Sequence, residues 1–231
     1  MIKRLYSTDM DEADFIFGGE RKLKETLFSV IHDGFKLIFI VTACPPGIIG
    51  DDLDKVIADV RERYDQVQII PITVDGNITG DYVQGVMDAY GAVARLIEKN
   101  ISPDNSPLVN IIGEKWLAEN EEKCFKEIQK LLSRLGIGVN CRFLIHCSSG
   151  SINRFNSASL NLPADRDDTI ASIKTRLAPV SSVPFLEIPL PTGFFETKEW
   201  LLAIARHFGM EEKAREIIHE EAMIYQEKIA K

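Results

Sequence analysis

Two patterns of apolar residues alternate along the chain. Continuous apolar runs, typical of strands buried in a parallel sheet, are separated by stretches in which apolar residues recur at helical spacing. The runs predict strands at residues 36–43, 67–72, 108–112, 138–146, 158–162 and 183–189. The helical spacing predicts helices at residues 22–30, 53–60, 83–97, 125–135, 151–157 and 166–177, and in the last part of the chain. Strands that alternate with helices predict an α/β fold in which right-handed crossovers join parallel strands.

The strongest linker signal is the sequence NISPDNSP at residues 100–107, because its two prolines and several turn-forming residues end one structural unit. We therefore predict two Rossmann-like parallel-sheet units with helices on both faces. The first unit, residues 1–104, carries the sequences GGERKL and CPPGIIGDD. The second unit, residues 105–231, ends in a C-terminal amphipathic helix.

Composition and charge narrow the class of protein. The chain of 231 residues is 45% hydrophobic and 27% charged, which is an ordinary globular mixture. Its formal net charge of −8 argues against an extended nucleic-acid-binding face and against a polybasic membrane patch. No apolar run approaches the roughly 18–20 residues that cross a bilayer, and no signal-peptide pattern follows the first cations. We expect a cytoplasmic protein whose four cysteines are free thiols or metal ligands.

Common catalytic motifs are missing from the sequence. The glycine-containing stretch GIGVNC at residues 136–141 precedes a predicted strand, whereas a dinucleotide-binding loop follows one. No phosphate-binding GxxxxGK[ST], serine nucleophile elbow or HExxH occurs. His32, His207 and His219 fall in predicted helices, where we assign them surface or packing roles.

The sequence TACPPGIIGDD at residues 42–52 is the strongest candidate for chemistry. Cys44 follows a predicted strand, at the carboxyl end where open parallel sheets bind ligands. Two prolines end the strand, Gly47 and Gly50 allow a bulky group to approach the backbone, and Asp51 is placed to cap the next helix. A thiolate ahead of a helix suits a redox nucleophile or an iron–sulphur ligand. A buried cysteine in a proline-rich turn explains the same residues equally well.

The other three cysteines give a weaker signal. His146 and Cys147 lie at a predicted strand end, but the spacing from Cys141 to Cys147 matches no standard zinc pattern. We therefore interpret Cys141 and Cys147 as packed side chains in preference to ligands. Cys124, on a predicted helix, receives the same interpretation.

A series of sequences along the chain resembles component 1 of nitrogenase and of nitrogenase-like oxidoreductases. In that family a strand precedes the motif FGGxxKL, and a second strand ends in CPxGxIGDD. The matching sequences here are DFIFGGERKL (14–23), VTACPPGIIGDDLDKV (41–56), IIPITVDGNITG (69–80), LVNIIGEKW (108–116), LSRLGIGVN (132–140) and FETKEWLLAIARHFG (195–209). The match runs in order through nearly the whole chain.

This resemblance implies a subunit that pairs with a homologous component 1 subunit and receives electrons from an ATP-dependent iron–sulphur reductase. It implies that the cysteine of CPxGxIGDD, here Cys44, is a metal ligand of an iron–sulphur cluster in the intact complex. Gly47 and Gly50 of the same motif then lie beside the cofactor. No nucleic-acid or membrane partner is expected.

Departures from the family pattern limit what the chain does alone. The cysteine that holds the larger nitrogenase cofactor would fall near Ala164, where the sequence reads LNLPADRDD. This loss argues against dinitrogen as the substrate. The N-terminal cluster cysteines and the third domain of the family have no counterpart in the sequence, so we expect a fragment or a short paralogue. Cys44 alone cannot hold a cluster, which generally needs four protein ligands.

Three functions remain open at the level of sequence. The first is part of a nitrogenase-like oxidoreductase subunit, with iron–sulphur-dependent electron transfer to an unknown substrate other than dinitrogen. The alternative is a non-catalytic metal-cluster scaffold or binding module of the same family. The third is a metal-free thiolate switch at Cys44, which the following prolines leave without a CxxC partner.

Overall fold

The computed structural model describes residues 5–43, 50–73, 80–101, 106–115 and 121–229. The chain divides into two compact units, Met1–Ala92 and Val93–Lys231. The boundary predicted at residue 104 lies in residues 102–105, outside the described residues.

The first unit contains a two-stranded parallel sheet whose strands alternate with helices. Its elements are α1 (Glu12–Phe17), α2 (Glu20–His32), β1 (Leu37–Val41), α3 (Leu53–Arg61), β2 (Gln68–Ile72) and the first part of α4 (Tyr82–Ala94). β1 pairs with β2 from Leu37 opposite Gln68 to Val41 opposite Ile72.

Pro71 sits in β2 where no ladder bond to β1 is lost. The Gln68 N–H donates to the Lys36 carbonyl at 2.8 Å, and the Thr42 N–H donates to the Ile72 carbonyl at 3.2 Å. The backbone N–H and carbonyl groups of residues 68 and 72 therefore point towards β1. Because these groups alternate along a strand, the backbone nitrogen of Pro71 points away from β1. The sequence-based expectation that Pro71 needs no ladder donor is confirmed.

The expectation that β1 is buried on both faces is wrong. Ile38 and Ile40 are buried in the core of the first unit together with residues of α2 and α3. Phe39 and Val41, which point to the opposite face, are 38% and 64% exposed. One face of the sheet is covered by α2 and α3, and that is the face on which the alternating isoleucines lie.

The strand that the resemblance implies before FGGxxKL is also wrong, because this segment forms α1. The Asp11 side chain accepts the backbone N–H groups of Ala13 and Asp14, and the Asp14 side chain accepts the Asp11 N–H at 2.8 Å. This reciprocal capping box starts a helix locally and outweighs the short apolar run that follows.

The second unit contains a three-stranded parallel sheet in the order β4-β3-β5. Its elements after α4 are β3 (Leu108–Ile112), α5 (Glu121–Leu135), β4 (Gly138–Arg142), α6 (Ser149–Asn153), a 3₁₀ turn (Phe155–Ser157), β5 (Leu160–Pro163), α7 (Asp168–Leu177), α8 (Gly193–Phe208) and α9 (Glu211–Ile229). The predicted α/β fold with parallel sheets flanked by helices is confirmed in both units.

Asparagine side chains connect the strands of this second sheet. Asn110 of β3 lies opposite Asn161 of β5, and its amide donates to the Asn161 side-chain oxygen at 2.9 Å. Asn140 of β4 donates to the Asn110 side-chain oxygen at 2.9 Å, and Asn161 donates to the Val183 carbonyl at 3.0 Å. Because buried amides are costly unless they are bonded, this network favours the observed strand order over other pairings.

The strand predicted at residues 138–146 is too long. β4 ends at Arg142, and Leu144 and His146 have left-handed backbones with φ of 71° and 45°. Such a conformation cannot continue an extended strand, and apolar periodicity does not report it.

The strand predicted at residues 183–189 is also corrected. Its ladder to β5 is limited to a single bridge between Phe185 and Asn161. Pro184 and Pro189 have no N–H to donate, so a regular ladder cannot extend through them.

The core of the second unit lies between the sheet and the long helices. It is built from residues of β3, β5, α5, α8 and α9 and from the turn between α5 and β4: Val109, Ile111, Ile128, Leu132, Leu135, Ile137, Leu160, Leu162, Trp200, Leu201, Ile204, Ala205, Ala214 and Ile217. The C-terminal helix α9 contributes Ala214 and Ile217 to this core, whereas Met223, Ile224 and Tyr225 in its later turns are about half exposed. In the described part of the chain, no helix combines the length and apolar character needed to cross a bilayer.

Candidate functional site

The candidate site of the first unit is the carboxyl end of β1. β1 ends at Val41, and the described chain continues to Ala43 and resumes at Gly50. Cys44 and Gly47, the predicted cofactor-binding residues, lie outside the described residues. The residues on either side of them show how the two ends of this segment are held.

Asp51 anchors the segment that follows Cys44. The backbone N–H of Gly19 donates to both carboxylate oxygens of Asp51, at 3.0 Å each. This contact joins the FGGxxKL motif to the end of CPxGxIGDD. The prediction that Asp51 caps the next helix is wrong, since Asp52 is the N-cap of α3 and accepts the Lys55 N–H at 2.9 Å.

The two glycines of FGGxxKL are explained by this contact. Gly18 has φ of 93°, and a Cβ there would lie 2.8 Å from an Asp51 carboxylate oxygen. A Cβ on Gly19 would lie 2.8 Å from the Met10 methyl carbon and 3.0 Å from the other oxygen of Asp51. A side chain at either position would push the Asp51 carboxylate away from the Gly19 N–H, whose hydrogen bond it accepts.

A second set of contacts fixes the start of α3 against α2. The Glu20 carboxylate accepts the Asp52 N–H at 3.3 Å and lies 3.1 Å from the Lys55 ammonium. The hydrogen bond from Lys55 to Glu20 raises the pKa of Lys55 above its ordinary value. Together with Asp51, these contacts tie the residues after Cys44 to the start of α2 at three points.

The lysine of FGGxxKL holds the preceding helix in place. Lys22 lies 2.7 Å from Asp14 and 2.9 Å from Asp11, and it donates to the Asp9 carbonyl at 2.6 Å. These carboxylates raise the pKa of Lys22, and Lys22 in turn lowers the pKa of the Asp14 carboxyl. The motif residues that the structure describes therefore fix the start of α2 against α1 and against the start of α3.

The backbone conformation at position 50 favours glycine. Gly50 has φ of 76°, and no atom of the described residues lies within 4 Å of the position that a Cβ would occupy. The left-handed backbone conformation explains why glycine occupies this position, whereas crowding by a neighbouring group does not. Its predicted role beside a cofactor stays a prediction.

We expect the substitution Asp51→Ala to lower the free energy of unfolding of the first unit by about 1–3 kcal/mol. The Gly19 N–H is buried and would lose its acceptor, and an unpaired buried donor costs about that much. Urea unfolding and amide hydrogen exchange at Gly19 measure the effect.

Asp54→Ala is the matched control, because Asp54 is exposed in the first turn of α3. Its replacement is expected to change stability by less than about 0.5 kcal/mol. Equal stability of the two variants, with the Gly19 amide still protected in Asp51→Ala, would contradict the anchoring role.

The second unit has a cavity of about 640 Å³ at the carboxyl ends of β3 and β5. Gly113 and Lys115 enter its wall from the end of β3, and Ala164 and Asp165 from the end of β5. α5 and α8 complete the wall, the latter through Thr197. This is the edge at which open parallel sheets bind ligands.

The cavity has one polar pair at its sheet edge. Lys115 lies 2.5 Å from Asp165, and this hydrogen bond lowers the pKa of the Asp165 carboxyl. Ala164 and Asp165 occupy the place after β5 where the resemblance puts a cofactor cysteine. The structure thus places an ion pair, and no thiol, at this point of the wall. Lys115 and Asp165 each lie three residues after a predicted strand, and the sequence pattern alone does not pair them.

A buried arginine supports the same edge from β4. Arg142 donates to both oxygens of Glu114 at 2.9 Å and to Glu122 at 2.5 Å, and its guanidinium carbon lies 3.9 Å from the Phe125 ring centre. Burial lowers the pKa of Arg142, and the hydrogen bonds that it donates to Glu114 and Glu122 raise its pKa by more. Glu114 and Phe125 also line the cavity.

The described cysteines do not form a metal centre. No group of three or more histidine, cysteine, aspartate or glutamate side chains in the described residues could hold a metal ion. Cys141 is buried and Cys147 is half-buried, and both are free thiols. Cys124 is exposed on α5, so its predicted packing role is wrong. Four thiolates for one cluster are therefore not provided by the described residues.

Comparisons with known proteins agree with the motif pattern. A sequence model of the family described as nitrogenase component 1 type oxidoreductase matches residues 1–230. The nitrogenase iron-molybdenum cofactor biosynthesis protein NifE of Clostridium pasteurianum is 27% identical, over 98% of this chain and 49% of that protein. The nitrogenase molybdenum-iron protein alpha chain of Methanothermobacter marburgensis is 25% identical, over 95% of this chain and 46% of that protein.

Among solved structures, nitrogenase Cp1 at pH 6.5 has the same fold. The TM-score is 0.81 at 24% sequence identity, covering 96% of this chain and 43% of that chain. The chain thus spans about half the length of the curated relatives that it matches.

Proposed function

The chain belongs to the nitrogenase component 1 type oxidoreductase family, and from this premise we propose that it is part of a nitrogenase-like component 1 subunit. Its proposed activity is iron–sulphur-dependent electron transfer to a substrate other than dinitrogen. The proposed partners are a homologous component 1 subunit and an ATP-dependent iron–sulphur reductase.

The observation that carries this proposal is the contact between Gly19 and Asp51. It joins the two family motifs of the first unit and fixes Asp51, near the end of the second motif, against the backbone of Gly19. A ligand cysteine needs such support, because the residues around a metal site orient its ligands. The Gly19–Asp51 contact fixes the last part of the motif that contains Cys44, which supports a ligand role for this cysteine over a packing role.

Cys44 would supply one thiolate to a cluster whose other ligands lie outside the described residues. The described cysteines, Cys124, Cys141 and Cys147, all belong to the second unit. An iron–sulphur cluster, when bound, supplies one-electron transfer. The need for further thiolates supports a site that is completed by a homologous subunit.

The residues that follow β5 support a substrate other than dinitrogen. The position after β5 carries Ala164 and the ion-paired Asp165, so it offers no thiolate for a larger metal cofactor. Lys115, Lys123 and Thr197 make the cavity at the carboxyl ends of β3 and β5 suitable for a polar organic ligand.

The test is electron paramagnetic resonance of the full-length gene product, made without oxygen together with its neighbouring subunit. The unsubstituted protein is expected to show a reducible cluster signal, and Cys44→Ala is expected to lose or alter it. Cys124→Ala is the control, since this exposed cysteine on α5 is expected to leave the signal unchanged. A Cys44→Ala protein with the original signal would overturn the proposal.

Turnover separates this function from the scaffold alternative. An oxidoreductase consumes its substrate only when the reductase and a source of electrons are present. A protein that binds and releases a cluster, but shows no reductant-dependent loss of any substrate, would match the scaffold.

A further inference from the structure

The second unit has another cavity, of about 370 Å³, at the amino ends of its strands. β3 begins at Leu108 and β5 at Leu160, and the N–H of Ser159 donates to the Leu108 carbonyl at 2.9 Å. Ser159 lines the cavity together with residues from the segments 99–101 and 178–184. We call it the amino-end cavity, because it lies at the opposite edge of the sheet from the cavity beside Lys115.

Asn156, in the 3₁₀ turn, ties two segments of the cavity wall together. Its side-chain Nδ2 donates to the Glu98 carbonyl at 2.9 Å and to the Val180 carbonyl at 3.0 Å. One of these carbonyls directly precedes Lys99, and the other directly precedes Ser181. A single amide thus positions the backbone on which a lysine and a serine of the wall are mounted.

The segment after Val180 is also fixed to β5. The Asn161 side chain donates to the Val183 carbonyl at 3.0 Å, and the Asn161 N–H donates to the Pro184 carbonyl at 2.8 Å. The Ser181 hydroxyl accepts the Val183 N–H at 3.3 Å. A wall that is already held in place loses less conformational freedom when a ligand binds, so this cavity is suited to binding.

The side-chain oxygen of Asn156 is an unsatisfied group in this wall. Asn156 is 6% exposed, and within the described part of the chain its Oδ1 has no hydrogen-bond donor. Both hydrogens of Nδ2 already go to carbonyl oxygens, so exchanging the amide oxygen and nitrogen would place an acceptor against two acceptors. Since buried polar atoms are normally bonded, this oxygen needs a donor from outside the described chain.

The charge of the wall favours an anion. Among the described residues that line the amino-end cavity, Lys99 is the only charged side chain, and Ser159, Ser181 and Ser182 supply hydroxyl groups. A phosphate group carries strong acceptor oxygens that suit one ammonium and several hydroxyl donors. The unsatisfied Asn156 oxygen requires in addition that the ligand itself carry a hydroxyl group.

We propose that the amino-end cavity binds a small hydroxylated phosphate of the sugar-phosphate class. Lys99 and Ser182 bind the phosphate, and Asn156 Oδ1 accepts a hydrogen bond from a hydroxyl group of the ligand. The cavity volume falls within the range of about 300–1,000 Å³ that small-molecule sites occupy. This site does not depend on the electron-transfer function proposed above, because it uses neither Cys44 nor the cavity beside Lys115.

Isothermal titration calorimetry of the full chain with ribose 5-phosphate, glucose 6-phosphate and glycerol 3-phosphate tests the proposal. At least one of them is expected to bind with a Kd below about 1 mM, and to shift the side-chain amide resonances of Asn156 in a ¹H–¹⁵N spectrum. Inorganic phosphate and ribose, which each supply half of the recognised chemistry, are expected to bind at least about tenfold more weakly.

Two results of this titration would overturn the proposal. If none of the three sugar or glycerol phosphates binds at about 10 mM, a buried water molecule is the donor to Asn156. If inorganic phosphate binds as tightly as the best of them, no ligand hydroxyl is recognised.

Substitutions at exposed wall residues locate the bound ligand. Lys99→Met is expected to weaken binding about tenfold or more, and Ser182→Ala about threefold, because a hydrogen bond to a charged donor contributes more than one to a neutral donor. Lys123→Met is the matched control, since Lys123 is exposed but lines the other cavity, and its affinity is expected to stay unchanged. Asn156 is kept, because its amide also ties the wall together. Equal losses in Lys99→Met and Lys123→Met would show binding outside the amino-end cavity and would contradict the proposal.

Discussion

Glu114→Gln is expected to lower the free energy of unfolding of the second unit by about 3 kcal/mol. Glu114 and Arg142 are both only 7% exposed, and the carboxylate accepts two hydrogen bonds from the guanidinium. Removing one partner of a buried ion pair typically costs about 3–5 kcal/mol, because the other charge stays buried without compensation. Glu122 still pairs with Arg142 in the variant, so the lower end of that range is expected.

Glu122→Gln is the matched control for this prediction. It makes the same chemical change at a carboxylate that bonds the same arginine but is 52% exposed. Water can solvate the charge of Arg142 at an exposed contact, so Glu122→Gln is expected to lower the free energy of unfolding clearly less than Glu114→Gln does. Urea unfolding followed by circular dichroism, with hydrogen exchange in β3 and β4, reports on the second unit. Equal losses in the two variants would contradict the assignment of Arg142 and Glu114 as the central pair.

The double variant Arg142→Met/Glu114→Leu sharpens the same test. Replacing a buried ion pair with apolar side chains of similar size is often neutral or stabilising. We therefore expect the double variant to be more stable than Glu114→Gln. Glu114 and Phe125 line the cavity of the second unit, so the same variants report whether the ion pair also shapes a ligand site.

Local periodicity predicted the alternating elements because helices and parallel strands are local patterns of burial. The run LVNII coincides with β3, and the helical stripe at residues 125–135 lies within α5. Apolar periodicity failed where backbone conformation and the missing N–H of proline determine the extent of a strand. It extended β4 through the left-handed Leu144, and it assigned a strand to residues 183–189 in spite of Pro184 and Pro189.

The sites were less predictable than the elements, since they depend on contacts between distant residues. Motif recognition selected Asp51 but gave it the wrong role, because its partner Gly19 is 32 positions away in sequence. The Lys115–Asp165 pair joins the ends of β3 and β5, which only the strand order β4-β3-β5 brings together. The signal was present nonetheless, as polar residues at two strand ends.

The largest loss of stability from a single core residue is expected at Trp200. This side chain of α8 is fully buried in the core of the second unit, and its replacement by alanine is expected to cost about 3–5 kcal/mol. Thermal unfolding and urea unfolding, followed by circular dichroism, measure the loss. Fluorescence is less suitable, because the chain contains a second tryptophan.

Trp200→Phe separates the shape of this side chain from its polarity. In the described part of the chain the buried indole N–H has no hydrogen-bond partner. Phenylalanine therefore removes a donor that is already unpaired, so the remaining cost is that of a smaller ring, about 1–2 kcal/mol. If Trp200→Phe were as damaging as Trp200→Ala, the indole N–H would have to bond a group such as a bound ligand or a partner subunit. α8 contributes Thr197 to the cavity wall one turn before Trp200, so this comparison connects the core with the candidate site.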